Sequence, residues 1–271
     1  MRTESITSAQ NPKIKNLLLL QEKSRARREQ GLFVVEGWRE LEHCLEGGFT
    51  VRTLFICPEI CPEELLPHNL TTLFSAGTGA PSVFEIPEQL YRKVAYREST
   101  EGIIAEVEVK ALSLEGLSLP ENPLVVVLEA VEKPGNLGAV LRSADAAGAS
   151  AVIVCDPLTD IFNPNLIRAS IGAVFTVPVV AAASADVIPW LKARGIQILT
   201  AQLQDSSAYY DIDMRRSTAI VMGTESTGLT DIWRKAADAH IRIPMLGRLD
   251  SLNVSVSASI LLYEAVRQRQ A

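Results

Sequence analysis

Two patterns of apolar and polar positions divide this chain. Up to about residue 110, short elements of both kinds alternate. Ile14, Leu17, Leu18 and Leu20 recur at helical spacing, and Asn11-Pro12 supplies a capping side chain followed by a first-turn proline. One helix is therefore predicted over 11–29, stopped by Gly31. Residues 32–36 read as a buried strand, 38–46 as a helix closed by Gly47 and Gly48, 51–57 as a strand, 86–94 as a helix and 102–109 as a strand. Such alternation predicts a compact α/β unit.

Between 111 and 123 two prolines, a glycine and two serines interrupt the pattern, which marks a linker. Beyond it the apolar runs become continuous. Residues 124–128 are wholly aliphatic, as in strands covered on both faces. Helices are predicted over 136–147, 163–175 and 185–193, strands over 151–155, 177–180, 196–201, 219–222 and 239–243, and a last amphipathic helix over 254–268. The fold class expected is α/β, with a parallel sheet carrying helices on both faces.

Composition narrows the function classes. A chain of 271 residues holds one large domain or two ordinary ones, and 47% hydrophobic with 21% charged residues is a globular balance. No apolar run is long enough to span a bilayer, and the first ten residues are polar, unlike a signal peptide. A cytoplasmic protein with no membrane partner is expected. The net charge of −6 opposes indiscriminate polyanion binding but leaves room for a local basic face. Lys13, Lys15, Lys23, Arg25, Arg27 and Arg28 form one such cluster, which charge alone reads equally well as a solvated helix face. Cys44, Cys57, Cys61 and Cys155 are scattered, as are His43, His68 and His240, so buried thiols and no metal site are expected.

Three glycine-containing blocks carry the candidate chemistry: Lys-Pro-Gly-Asn-Leu-Gly-Ala-Val-Leu-Arg at 133–142, Val-Met-Gly-Thr-Glu-Ser-Thr-Gly-Leu at 221–229, and Ile-Pro-Met-Leu-Gly-Arg-Leu-Asp-Ser-Leu-Asn-Val-Ser at 243–255. The first lacks the Gly-x-Gly-x-x-Gly spacing and the chain has no phosphate-loop Gly-Lys-Ser/Thr, which disfavours a nucleotide or nicotinamide cofactor. By themselves, Asn136 reads as a helix cap and Arg142 as a surface residue. Gly223 follows a strand, where a glycine lets a ligand approach the backbone. Glu225, between two glycines, could cap the segment beginning at Thr230. Asn253 or Ser255 could cap the last helix. Serines at every second position compete for the helix backbone, however, so these hydroxyl and amide groups are expected to line a pocket. All three blocks lie at predicted strand ends, where an open parallel sheet binds ligands.

In order and spacing the blocks resemble the three signature motifs of the SpoU (TrmH-type) RNA ribose 2′-O-methyltransferases. The resemblance covers residues 124 to about 268, and 169–175 is similar to the family's connecting segment. Residues 8–58, with Phe33-Val34-Val35-Glu36-Gly37, are similar to the family's small substrate-binding domain, which resembles ribosomal protein L30e. Ser226-Thr227 departs from the Gly-x that many members carry there.

The resemblance implies an L30e-like RNA-binding domain over 1–110, a linker over 111–123 and a methyltransferase domain with a deep trefoil knot over 124–271. It implies S-adenosylmethionine as donor, an RNA ribose 2′-hydroxyl as acceptor, and a homodimer, which an apolar stripe of Val256, Ile260, Leu261 and Tyr263 permits. Gly223, Ile243, Met245 and Leu252 match donor-binding positions, and Thr200 and Ala201 are expected to border the same pocket. Asn136, Arg142, Glu225, Ser251 and Asn253 match the catalytic set. Family mechanisms make the arginine a base. A guanidinium is effectively always protonated, so Arg142 is expected instead to bind the adjacent phosphate and stabilise the developing alkoxide. The L30e-like domain and the absence of a basic terminal extension favour ribosomal RNA, in particular large-subunit RNA, over tRNA. Lys13, Lys23, Arg25, Arg27, Arg28 and Arg39 are the expected phosphate contacts. A tRNA 2′-O-methyltransferase and an RNA-binding module without turnover are the alternatives.

Overall fold

Continuous aliphatic runs become the interior of a sheet shielded on both faces. In the computed structural model, which describes residues 3–63, 80–96, 101–110, 112–224 and 227–270, β6 (Leu124–Glu129) and β7 (Ala151–Cys155) are buried at every position. They belong to a seven-stranded, wholly parallel sheet of order β10-β12-β9-β11-β6-β7-β8. The other strands are β8 (Val179–Ala182), β9 (Gln197–Ala201), β10 (Ser207–Ala208), β11 (Thr218–Met222) and β12 (Ala239–Arg242). The α/β class and the parallel sheet are as expected.

Two compact units are present: Met1–Lys110 with Phe162–Arg168, and Ala111–Ile161 with Ala169–Ala271. The interval expected to be a linker is packed into the second. Leu114 and Leu117 are buried in its core, and the Trp190 indole donates to the Leu114 carbonyl. Leucines spaced among the serines and prolines supply apolar surface that a free linker would leave in water.

In the second unit α5 (Pro134–Ala146) begins at the proline, two residues before its expected start. Asn136 therefore stands inside the first turn rather than at the cap. Gly138 lets α5 lie against Ala169 and Ser170: a side chain there would begin 2.6 Å from the Ala169 Cβ. The helix expected over 163–175 is two, α6 (Pro164–Ser170), of which all but the last two residues belong to the first unit, and α7 (Ala173–Thr176), because Ile171 and Gly172 take left-handed backbone angles. α8 (Ser184–Ala193), α9 (Asp231–Ala236) and α10 (Val254–Gln270) complete this unit. α10 packs on α5 partly through a Ser143–Ser259 hydroxyl contact of 2.7 Å.

The first unit is a five-stranded mixed sheet of order β1-β4-β3-β5-β2: β1 (Thr3–Ser5), β2 (Leu32–Glu36), β3 (Val51–Ile56), β4 (Ser82–Glu85) and β5 (Ile103–Glu108). The short β1 and β4 carry no periodicity that would have predicted them. The helix expected over 11–29 breaks at Lys23, whose backbone is extended, into α1 (Pro12–Glu22) and α2 (Ser24–Gln30). Asn11 caps α1 by accepting from the Lys13 N–H, and Gly31 ends α2 at φ 65°. α3 (Trp38–Glu46) and α4 (Glu88–Val94) complete it. No helix among the described residues is long and apolar enough to cross a membrane.

Candidate functional site

At the carboxyl ends of β9 and β11 the chain leaves the sheet in two loops and encloses a cavity of about 340 Å³. β9 contributes Ala201 and the following Gln202, Leu203 and Gln204, β11 contributes Met222, Gly223 and Thr224, and Asp250, Ser251 and Leu252 arrive from the segment before α10. A smaller space of about 130 Å³ shares Ala201, Ser251 and Leu252 and adds Ile243 and Met245 beyond β12. Strand ends of a parallel sheet converge there because each crossover returns the chain to the opposite edge.

The glycine loop closes on itself. Gly228 N–H donates to the Thr224 carbonyl at 3.0 Å, and the Thr227 N–H to the Thr224 hydroxyl at 3.1 Å. A side chain on Gly223 would strike the Gly228 carbonyl group, and would begin 2.6 Å from the Leu229 nitrogen. The glycine thus makes room for its own loop rather than chiefly for a ligand. The far end is held by Glu129, a buried carboxylate at the end of β6. It accepts from the Thr230 N–H at 2.8 Å and the Thr230 hydroxyl at 2.6 Å.

Of the residues singled out by sequence, Ala201, Gly223, Ile243, Met245, Ser251 and Leu252 border these spaces. Thr200 does not. It is fully buried, its hydroxyl 2.6 Å from Nδ1 of His240 on the neighbouring strand, so it ties β9 to β12. Asn253 does two things: its Oδ1 caps α10 by accepting from the Ser255 N–H at 2.9 Å, and its amide donates to Asn136 Oδ1 at 3.1 Å. The first and third blocks meet through that pair. Arg142 borders neither space. Six residues turn a helix through about 600°, so Arg142 leaves α5 about 120° away from Asn136 and roughly 9 Å farther along. Glu225 lies outside the described residues. The alternating serines divide their tasks: Ser257 borders the cavity, Ser255 bonds to the capping Asn253, and Ser259 reaches α5. Of the stripe on α10, Leu261 is core, while Val256 and Tyr263 are exposed.

The basic cluster needs one correction. Arg27 is 2% exposed and donates from one guanidinium nitrogen to the carbonyls of Leu20 and Gln21 at 2.6 and 3.1 Å. It joins α2 to the end of α1 and has no face for RNA. Lys13, Lys23, Arg25, Arg28 and Arg39 are exposed. Arg25 pairs with Glu29, Lys23 with Glu22 and Arg39 with Glu40, and Lys13 stands over the Phe84 ring.

All four cysteines are buried, and none is in a disulfide among the described residues. Burial pushes Cys57 and Cys61 up to about 11 and Cys155 up to about 12, which leaves no thiolate nucleophile near neutral pH. No group of residues fit to hold a metal ion occurs among the described residues. The cavity wall mixes backbone, apolar side chains and polar groups that sequence reading did not single out: Gln202, Arg234 and Asp250. Gln202 Oε1 and Arg234 Nε are enclosed and have no hydrogen-bond partner among the described residues. Such orphaned atoms suit a polar small molecule with hydrogen-bonding groups of its own.

The comparisons with known proteins agree with this geometry. The SpoU rRNA methylase family model matches residues 123–263, and an MRM3-like substrate binding domain matches 11–105. The 23S rRNA (guanosine(2553)-2′-O)-methyltransferase RlmP of Bacillus subtilis is 30% identical over 96% of this chain and 98% of its own length. The 23S rRNA (uridine(2479)-2′-O)-methyltransferase of Streptomyces viridochromogenes is 32% identical over 90% of this chain and 85% of its own. The crystal structure of an AdoMet-bound rRNA methyltransferase from Sinorhizobium meliloti superposes with a TM-score of 0.88 at 31% identity, covering 98% of each chain. A cavity at the strand ends bounded by the second and third blocks, the Asn136–Asn253 pair that joins the first to the third, and matches along nearly the whole chain have one reading: the chain belongs to the SpoU rRNA methylase family.

Proposed function

We propose that this protein transfers a methyl group from S-adenosylmethionine to a ribose 2′-hydroxyl of RNA, with large-subunit ribosomal RNA as substrate and the cytoplasm as its place of action. The observation that carries the reading is the strand-end cavity, bounded by the glycine loop and the 250–252 segment in a chain of this family. The bound donor supplies an electrophilic sulfonium methyl. Gly223, Ile243, Met245 and Leu252 would hold it, largely through backbone groups, with Ala201 in the same wall.

The protein's own task is alignment: the oxygen–methyl bond would form as the methyl–sulfur bond breaks, with S-adenosylhomocysteine as the leaving group and the hydroxyl proton passing to water. A ribose hydroxyl is a poor nucleophile, and holding it in line with the methyl carbon lowers the barrier by removing orientational freedom. Asn136 and Asn253, already tied together, offer amide groups to fix the sugar, with Ser251 beside them and Glu225 from the glycine loop. Arg142 binds the neighbouring phosphate and stabilises the alkoxide as it forms. A pH–rate profile tests this: Arg142→Lys lowers the rate and leaves the pH dependence unchanged, whereas loss of a titrating group would make Arg142 the base.

The first unit recognises RNA by shape, with Lys13, Lys23, Arg25, Arg28 and Arg39 on phosphates. The reading carries a trefoil knot, supported by the return of the chain from β12 through 243–253 to α10 against α5. It also carries a homodimer. Leu246 and Leu249 are 99% and 79% exposed, and Val256 and Tyr263 of α10 are exposed too, apolar surface that a second copy would cover. Sedimentation of Val256→Asp/Tyr263→Ser against the unchanged chain tests it; a monomer in both ends the dimer. The functional test is transfer of labelled methyl from S-adenosylmethionine to ribosomal RNA, with 2′-O-methyl sites mapped in cells with and without the protein. No transfer, and no site lost, would overturn the proposal.

A further inference from the structure

The cavity holds a cation that no sequence block supplies. Arg234 comes from α9, the short helix after the glycine loop, and one terminal guanidinium nitrogen stands 3.8 Å from the point where a side chain on Gly228 would begin. Its Nε is shut away from solvent, and no described residue accepts a hydrogen bond from it. An enclosed guanidinium N–H without an acceptor is destabilising, and an acceptor arriving with a ligand removes that cost. The planar fork of an arginine matches a carboxylate or a phosphate through two parallel hydrogen bonds.

The rest of the wall chooses between those two. Asp250 borders the same cavity, as does Gln202, whose enclosed Oε1 has no described donor. A phosphodiester is negative throughout and would be brought beside the Asp250 carboxylate. An amino-acid head group carries a carboxylate and an ammonium, and here each meets an opposite pole. Resting on the methyl-transfer reading, we infer that Arg234 binds the α-carboxylate of S-adenosylmethionine and so decides which sulfonium donors the protein accepts.

The experiment compares S-adenosylmethionine with its decarboxylated form by calorimetry, without RNA, on the full chain and on Arg234→Gln and Arg234→Lys. The unchanged protein prefers the carboxylated donor by about tenfold or more, the equivalent of about 1.4 kcal/mol. Arg234→Gln loses that preference while its affinity for the decarboxylated donor stays put, and Arg234→Lys recovers part of it. Equal weakening toward both donors would make Arg234 a wall-shaping residue, and no change toward either would remove it from the site. Each result overturns the inference. So, in a separate titration of the same variants with RNA across salt concentrations, does a loss confined to RNA affinity with a salt slope lower by about one, which would give the guanidinium to a phosphate. Unchanged protein that binds both donors equally well defeats the anchor alone. Unchanged protein that binds neither defeats the methyl-transfer reading, and the anchor with it.

Discussion

The two sheets bury polar groups in opposite ways. In the parallel sheet of the second unit, β6, β7 and β11 are buried along their lengths, and carboxylates stand at the carboxyl ends of β6 and β7. Glu129 ends β6, and Asp156, just past β7, accepts from the Ser184 hydroxyl. In the mixed sheet of the first unit, buried charge is spread over a helix, a strand end and the middle of an interior strand. Arg27 joins two helices, Glu36 accepts from the Tyr96 N–H, and Glu106 accepts from the Asn16 amide. A doubly covered parallel sheet tolerates an interior polar group only where a neighbouring strand satisfies it, as His240 does Thr200, so charge at its rim marks a site. In the smaller mixed sheet, buried charges mostly hold loops and helix ends, and charge in the sequence says little about where a ligand binds.

That contrast breaks or holds first at Arg27. Arg27→Ala leaves two carbonyls without their donor and is expected to lower unfolding stability by about 2–4 kcal/mol. Arg28→Ala, on the exposed side of the same helix, should cost less than about 0.5 kcal/mol while weakening RNA binding. Urea unfolding of the two, with RNA titrations, checks both. Similar stabilities would erase the distinction between a structural and an accessible arginine.

Glu129 sharpens the other half. Glu129→Gln turns an amide N–H toward one of the two Thr230 donors, at a cost of about 1–3 kcal/mol. Because Thr230 anchors the far end of the glycine loop, donor affinity should fall as well. Thermal unfolding with donor titration tests this. A less stable protein with unaltered donor binding would show that the rim carboxylate serves the fold alone.

The smallest effect belongs to Glu106. Burial raises its carboxyl above the ordinary value of 4.5, with opposing contributions from Thr53, Asn16 and Lys13. A carboxyl whose folded value is raised binds its proton more tightly in the native state, so this group's contribution falls as pH rises from about 4.5 through the raised value. Glu106→Gln should flatten that part of the stability–pH curve. Denaturation midpoints across the window check it, and an unchanged slope would mean that the Asn16 and Thr53 hydrogen bonds already offset burial.

The longer strands and the last helix were legible because their signal is local: β7 and the start of α10 fall where the apolar runs and the Asn253 cap placed them, whereas the short β1, β4 and β10 left no such signal. The break at Lys23 was not, since apolar spacing runs on through 11–20 and nothing in it records an extended backbone three residues later. Nor was the turn at 171, where a β-branched residue takes a left-handed angle that Gly172 alone would have suggested. At the site, the motif residues Gly223, Ile243, Met245, Ser251 and Leu252 line the two spaces, whereas Thr200, expected there from its place at a strand end, lies inside the sheet. Arg234 and Gln202 belong to no motif, and only the folding of α9 and the β9 end around one cavity brings them together.

By itself the sequence determined the family, the parallel α/β architecture and the edge of the sheet that carries the site. Those follow from patterns read along one dimension, in which strand hydrophobicity and turn residues are neighbours. Tertiary structure decided which arginine is buried, that Gly223 yields its space to Gly228, and that Thr200 is spent on His240 instead of bordering the cavity. Each of these depends on which distant atoms fill a given volume, and close packing settles that only once the whole chain is in place.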